Sequence, residues 1–187
     1  MLSRGRRVLA VGAALAASVA VAAPAALGGS AGTAGTGQRT LQAANLLEST
    51  VLVELNRIRA QHGLAPLRTN AKLRAAADTH SAAMAQFGFF AHESRDGSAF
   101  WKRVQRFYAP GGYGFWSVGE NLLWSSSELS AKEAVEMWMK SPKHRENILT
   151  PRWREIGLSA VRVDGAPGVY GGLDVTIFTT DFGVRRA

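Results

Sequence analysis

Residues 155–182 read EIGLSAVRVDGAPGVYGGLDVTIFTTDF. Two runs rich in β-branched and apolar residues, Glu155 to Val163 and Val169 to Phe182, flank Asp164-Gly165 and Gly168, which is the turn chemistry a hairpin requires. Val175 to Phe178 is nearly continuous in β-branched and aromatic residues and suits a strand covered on both faces. This hairpin comes after a series of helical segments instead of alternating with them. A doubly wound parallel sheet is therefore not expected. The pattern predicts an α+β fold with a mainly antiparallel sheet covered by helices.

Upstream, the apolar period is helical. Leu47, Val51, Leu55 and Ile58 share one face, and Gly63 with Pro66 ends that helix near Gln61 or His62. Asn70 is placed to cap a second helix with the stripe Leu73, Ala77, His80, Met84 and Phe87, which Gly88 stops. A short third helix over Phe100 to Phe107 has Trp101, Val104 and Tyr108 on one side, before the break at Pro110-Gly111-Gly112. Ser130-Ala131-Lys132-Glu133 is a capping box, and Ala131, Ala134, Val135 and Trp138 form the inner face of the helix it opens. Pro142 suits the first position of a further helical turn that Pro151 closes, and Val118 to Trp124 is another candidate strand.

Composition limits the function classes. The chain has 187 residues, 47% hydrophobic and 19% charged, enough for a packed core in one domain. The absence of Cys excludes disulfides, Cys-ligated zinc, iron–sulfur clusters and thiol catalysis. Arg4, Arg6 and Arg7 are three of the 22 basic residues; without them 19 stand against 14 acids. Such a mildly basic chain is no dedicated nucleic-acid binder.

The same arginines form the positive start of a secretory pattern over residues 1–26. Val8 to Val21 is apolar and uncharged, Ala20-Val21-Ala22 is a small-x-small cleavage signal, and Ala26 is a second candidate. The apolar run is shorter than the roughly 20 residues of a spanning helix, so a cleaved leader is expected and a stable transmembrane anchor is not. Gly28 to Gly37, GGSAGTAGTG, reads as a flexible linker within residues 27–44. The domain is then expected over residues 45–183, with a basic tail at 184–187, as a monomer outside the cytoplasm.

Chemistry is concentrated in few residues. Of four His, His62 lies at a helix end and His80 on an apolar stripe, where a hydrogen-bonded core histidine is expected. His92 and His144 instead follow structured elements in polar company. Glu120 lies in the triplet Gly119-Glu120-Asn121 with Val118 before it and Leu122-Leu123-Trp124 after, so its carboxylate must be paired or its pKa rises.

These residues carry a family resemblance. Leu55-Asn56-Arg57-Ile58-Arg59, Gly63-Leu64-Ala65-Pro66-Leu67, the helix from Leu73 with His80 and Met84, His92, Gly119-Glu120-Asn121, Ala134 to Trp138, Ser141 to Leu149, Ile156-Gly157-Leu158 and Thr180-Asp181-Phe182-Gly183 occur in order. Together they resemble the CAP superfamily (cysteine-rich secretory, antigen 5 and pathogenesis-related proteins), in particular its cysteine-free bacterial SCP-like extracellular branch. The resemblance spans about Leu46 to Gly183. It implies a three-layer α-β-α sandwich with one cleft, where two His and two Glu meet and bind a divalent metal in some members. By position His92, Glu120 and His144 match three of the four; the fourth falls on Ser141, a departure shared with the bacterial branch.

Three roles are open to this trio. Two imidazoles and a carboxylate suit Zn²⁺ or another divalent metal with an open water position. They suit metal-free proton transfer, with Glu120 and His144 as the candidate catalytic residues. Or Glu120 ties elements together structurally, with Asn121 and Asn147 completing backbone bonds. No second carboxylate at a useful spacing, no serine nucleophile and no oxyanion motif accompany them. The expectation is a binding module for a lipid, sterol-like or cell-wall ligand; the alternative is a metal-dependent extracellular hydrolase. Tyr108 to Trp116, YAPGGYGFW, is read as a loop whose aromatics fold back onto the core, and Arg103, Arg106, Arg145, Arg152 and Arg154 as a solvated basic face.

Overall fold

The computed structural model describes residues 8–12 and 33–187, with side chains from Gln42 onward. The elements in chain order are β1 (Val8–Gly12), α1 (Thr33–Gln61), β2 (Arg68–Thr69), α2 (Ala71–Phe87), α3 (Phe100–Phe107), β3 (Phe115–Ser125), α4 (Ala131–Lys140), α5 (Pro142–Ile148), β4 (Glu155–Val163) and β5 (Val175–Arg186), with a 3₁₀ turn at Gly168–Tyr170. The sheet order is β1-β3-β5-β4-β2; β5 is antiparallel to both β3 and β4, and the short β1 and β2 pair parallel at the edges. α2 and α3 cover one face and α1, α4 and α5 the other, which is the expected three-layer α+β sandwich.

Local chemistry accounts for the element ends. The Asn70 side chain accepts from the amides of Lys72 and Leu73, and Gly88 closes α2 at φ 65°, in the left-handed region open to glycine. Ser130 and Glu133 form the reciprocal capping box of α4. Val51 and Leu55 of α1, Trp138 of α4, Ile148 of α5 and Phe178 and Phe182 of β5 make the larger core. α1 also buries two charged residues. The Glu48 carboxylate accepts from the Ala160 amide at 3.0 Å and pairs with Arg74 at 2.9 Å. Arg59, fully buried, donates to the carbonyls of Ala65, Ile148, Thr150 and Trp153.

Four boundaries differ from expectation. α1 starts at Thr33, inside the stretch read as linker, because extending an established helix gains one hydrogen bond per residue fixed. The last strand starts at Val175 instead of Val169, since Gly168, Gly171 and Gly172 take positive φ and turn the chain. Residues 184–186 are not a tail: they continue β5, with Arg186 opposite Phe115 and Val184 buried. β3 likewise extends over Phe115–Ser125, beyond both ends of the expected strand. Of the expected leader only Val8–Gly12 is described; this apolar stretch pairs with Trp116–Glu120 on the edge of β3, which offers unpaired backbone groups. Arg4, Arg6, Arg7 and both cleavage signals lie outside the described residues. Among the described residues no helix is long and apolar enough to cross a membrane.

Candidate functional site

Alternation along β3 sends Glu120 towards α2 and α3 and Asn121 towards α5. Glu120 is fully buried. One of its oxygens accepts from Nδ1 of His92, in the loop after α2, at 2.8 Å; the other accepts from Nη2 of Arg103 on α3. A carboxylate only accepts, so His92 holds its proton on Nδ1. The Nη1 group of Arg103 also reaches the His92 carbonyl at 3.2 Å and the Ser94 hydroxyl at 3.3 Å, so one guanidinium fastens the loop to the strand. His80, 1% exposed, pairs its Nε2 with the Ala91 carbonyl at 2.8 Å and braces the same loop, as expected of a core histidine.

The strand register adds a second acid. Asp181 of β5 stands directly opposite Glu120 and is fully buried, and among the described residues no donor reaches either of its oxygens. The electrostatics separate the two carboxyls. Burial would raise Glu120, but the Arg103 charge and then the His92 hydrogen bond outweigh it and hold its pKa below the ordinary value. Burial and then the Glu120 charge push Asp181 well above the ordinary carboxyl range, against the pull of Arg103. Asp181 therefore keeps its proton where Glu120 has lost its own. His80 is pushed down to about 4 by burial, and His144 to about 4 by burial and by the charge of His92.

His144 arrives from the other layer. On α5, it is buried beside Phe90, Leu122, Leu123, Met137 and Trp138, and its carbonyl accepts from Asn121 Nδ2 at 3.2 Å. It lies within electrostatic reach of His92 but makes no hydrogen bond or ion pair with Glu120. Of the expected trio, then, His92 and Glu120 are in contact and His144 is a neighbour. Asn121 and Asn147 do pair, with Asn147 Nδ2 donating to Asn121 Oδ1 at 3.0 Å, and Trp153 Nε1 donates to the Asn147 carbonyl at 2.9 Å. Ser141, in the fourth family position, precedes α5 without a side-chain cap bond.

The donor set fits a metal poorly. Both Glu120 oxygens are taken by Arg103 and His92, and among the described residues no three His, Asp or Glu side chains are grouped to hold an ion. Nor is Glu120 placed as a base, since protonating it would strand the buried Arg103 charge. Two of the residues were missed as members of the site. The sequence reading put Arg103 on a solvated face; it shares the buried face of α3 with Phe100 and Val104, three and one residues away. That position on an apolar stripe was the available signal. Asp181 became visible only through the register. The aromatic loop folds back in part: Tyr108 and Trp116 are core, and Trp116 Nε1 donates to the Tyr108 carbonyl at 2.7 Å, whereas Tyr113 is exposed.

Comparison with known proteins agrees with this architecture. Residues 52–181 match the model of the cysteine-rich secretory protein family, CAP. YkwD, an uncharacterized protein of Bacillus subtilis, is 30% identical over 114 residues, which is 61% of this chain and 42% of that protein. The chain thus spans less than half the length of the curated relatives it matches. An extracellular protein containing an SCP domain from Bacillus anthracis superposes with a TM-score of 0.60 at 23% identity, over 86% of this chain and 45% of that one. An outer surface protein from Borrelia burgdorferi does so at 0.58 and 18%, over 74% of this chain and 92% of that one. At such identities the structural likeness speaks for the fold, and the family match covers most of the chain. The chain is a member of the CAP family, and one without cysteine.

Proposed function

We propose that this protein is an extracytoplasmic, non-enzymatic CAP-family module that binds an apolar, lipid-like ligand of the cell envelope. The observation carrying this reading is the closed environment of Glu120: with both oxygens taken and its pKa held low, it locks loop, helix and strand together and is not available as a base to activate water. Room for a ligand supports it. The slot beside His144 holds only about 10 Å³. A groove of about 590 Å³ between α1 and the sheet, walled by Ala43, Leu46, Leu47, Leu129 and Ala160, has the size and apolar lining of a small-molecule site. Extracytoplasmic location rests on the leader pattern of residues 1–26 and on the extracellular and outer-surface proteins that share the fold.

The test is titration of the purified protein with a fluorescent long-chain fatty acid. Saturable one-to-one binding is expected, insensitive to chelator. Leu46→Asp should weaken it about tenfold without changing the melting temperature, because Leu46 is 67% exposed. Chelator-sensitive hydrolysis of wall fragments that His92→Ala abolishes would overturn the reading in favour of a metal-dependent hydrolase. Intact mass of the secreted protein should show a start after Ala22 or Ala26.

A further inference from the structure

At one end of the sheet, neighbouring strands bring three arginines together. Arg68 begins β2, Arg154 immediately precedes β4, and Arg185 lies near the end of β5. The backbone binds them in series: the Arg68 amide donates to the Arg154 carbonyl at 2.9 Å, and the Arg154 amide to the Gly183 carbonyl at 3.2 Å. With Ala65, Pro66, Thr69, Tyr113 and Glu155 they line a cleft of about 610 Å³.

The cleft's positive charge is not cancelled. Its one acid, Glu155, is held by neutral donors, Asn70 Nδ2 at 2.6 Å on one oxygen and the Tyr108 hydroxyl on the other. Burial and that bond push the Tyr108 pKa up, so the phenol keeps the proton it donates. Arg154 spans the carbonyls of Pro151 and Trp153, at 2.7 and 2.8 Å, and Arg185 is stacked 4.0 Å above the Tyr108 ring and 5.2 Å from that of Tyr113. Among the described residues Arg185 Nε finds no acceptor and Arg68 makes no ion pair. The Arg154 and Arg185 guanidiniums are thus oriented by carbonyls and rings, and none of the three arginines has a carboxylate salt bridge among the described residues.

We propose that this cleft binds a phosphate group carried on a sugar-sized polar molecule. Guanidinium forks match the oxygens of an oxyanion, and a phosphate offers three non-bridging oxygens to three arginines where a carboxylate offers two. The volume exceeds that of a bare ion, and the exposed ring of Tyr113 presents a face on which a sugar can stack. This site is separate from the apolar groove, and either can fail without the other.

The experiment is calorimetric titration of the full secreted protein with glucose 6-phosphate, glucose, inorganic phosphate and vesicles of phosphatidylglycerol. Glucose 6-phosphate should bind and glucose should not, and binding should weaken as salt is raised. Arg68→Gln should weaken it about tenfold and Arg68→Gln with Arg185→Gln by about a hundredfold. Both variants are checked for unchanged circular dichroism; Arg68 is exposed, so that single variant reads binding even where Arg185→Gln perturbs the strand. Inorganic phosphate binding as tightly, with the same arginine dependence, also supports the phosphate site and identifies the free ion as its source. The proposal is overturned by no binding of either phosphate, by binding that both variants retain, or by binding to vesicles alone, which would reassign the cleft to a membrane surface.

Discussion

Glu120 and Asn121 are adjacent in the chain, yet they belong to differently built halves of the molecule. Around Glu120, on the α2/α3 face, the buried cluster is built on an ion pair, Glu120 with Arg103, joined by His92 and the protonated Asp181. Around Asn121, on the α4/α5 face, the side-chain partners are neutral: Asn147 and the indole of Trp153, set among Trp138, Phe178 and Phe182. An ionic cluster is worth little against a well-packed apolar substitute but costs heavily when half of it is removed. A neutral network in a dense core fails instead through shape. One strand thus carries two kinds of fragility, one set by charge and the other by volume.

The largest expected effect breaks the ionic side. Glu120→Gln leaves Arg103 buried without its counter-charge and should cost about 3–5 kcal/mol, measured by urea unfolding. Pairing it with Arg103→Met should recover more than half of that loss; a double variant as unstable as the sum of the singles would show that the pair is not a unit. Next comes acid. His80 is neutral in the fold, with a pKa of about 4 against 6.5 in the unfolded chain, so the unfolded state takes up protons first as pH falls. Its contribution is fully present above about pH 6.5 and lost on the way down to pH 4, on the order of 2–3 kcal/mol. A melting-temperature scan should fall across that window, and His80→Asn should fall less.

Volume is probed on the opposite face by Gly119→Ala. The added Cβ would lie 2.5 Å from Asn147 Oδ1 and 2.9 Å from Trp153 Cζ2. A loss of about 1–3 kcal/mol is expected, independent of pH, which distinguishes it from the ionic lesions. The smallest effect has the opposite sign. Asp181 holds a proton in the fold that it loses when unfolded, so its contribution is present below about pH 3.8 and fades as pH rises towards the raised value. Asp181→Asn removes that titration and can donate to Glu120. It should raise the melting temperature by a few degrees at pH 8 and by little at pH 3.5; destabilisation at pH 8 would refute the protonated reading.

The readable parts of the sequence were those set by local chemistry. Asn70, Gly88 and the Ser130–Glu133 box sit where they were expected because a cap depends on residues within four positions of it. Glu120 was readable as an acid needing a partner from its apolar neighbours, and His80 as a core residue from its stripe. Which partner Glu120 finds was not, because the Glu120–Asp181 register depends on where β5 begins, and Gly171 and Gly172 delay that start to Val175. The basic cleft was unreadable for a similar reason: its arginines lie 86 and 31 positions apart and meet only because the starts of β2 and β4 and the end of β5 lie on the same side of the sheet.

Arg59 has a consequence for how the chain becomes ordered. The carbonyls of Ile148, Thr150 and Trp153 turn inward at the α5–β4 connection, and the side chain that satisfies them comes from some 90 residues earlier. That connection cannot settle while α1 is undocked, nor α1 dock fully before the late segment exists. A polypeptide made from its N-terminus would therefore stay pliable until its last third emerges, and then consolidate both ends in a single step.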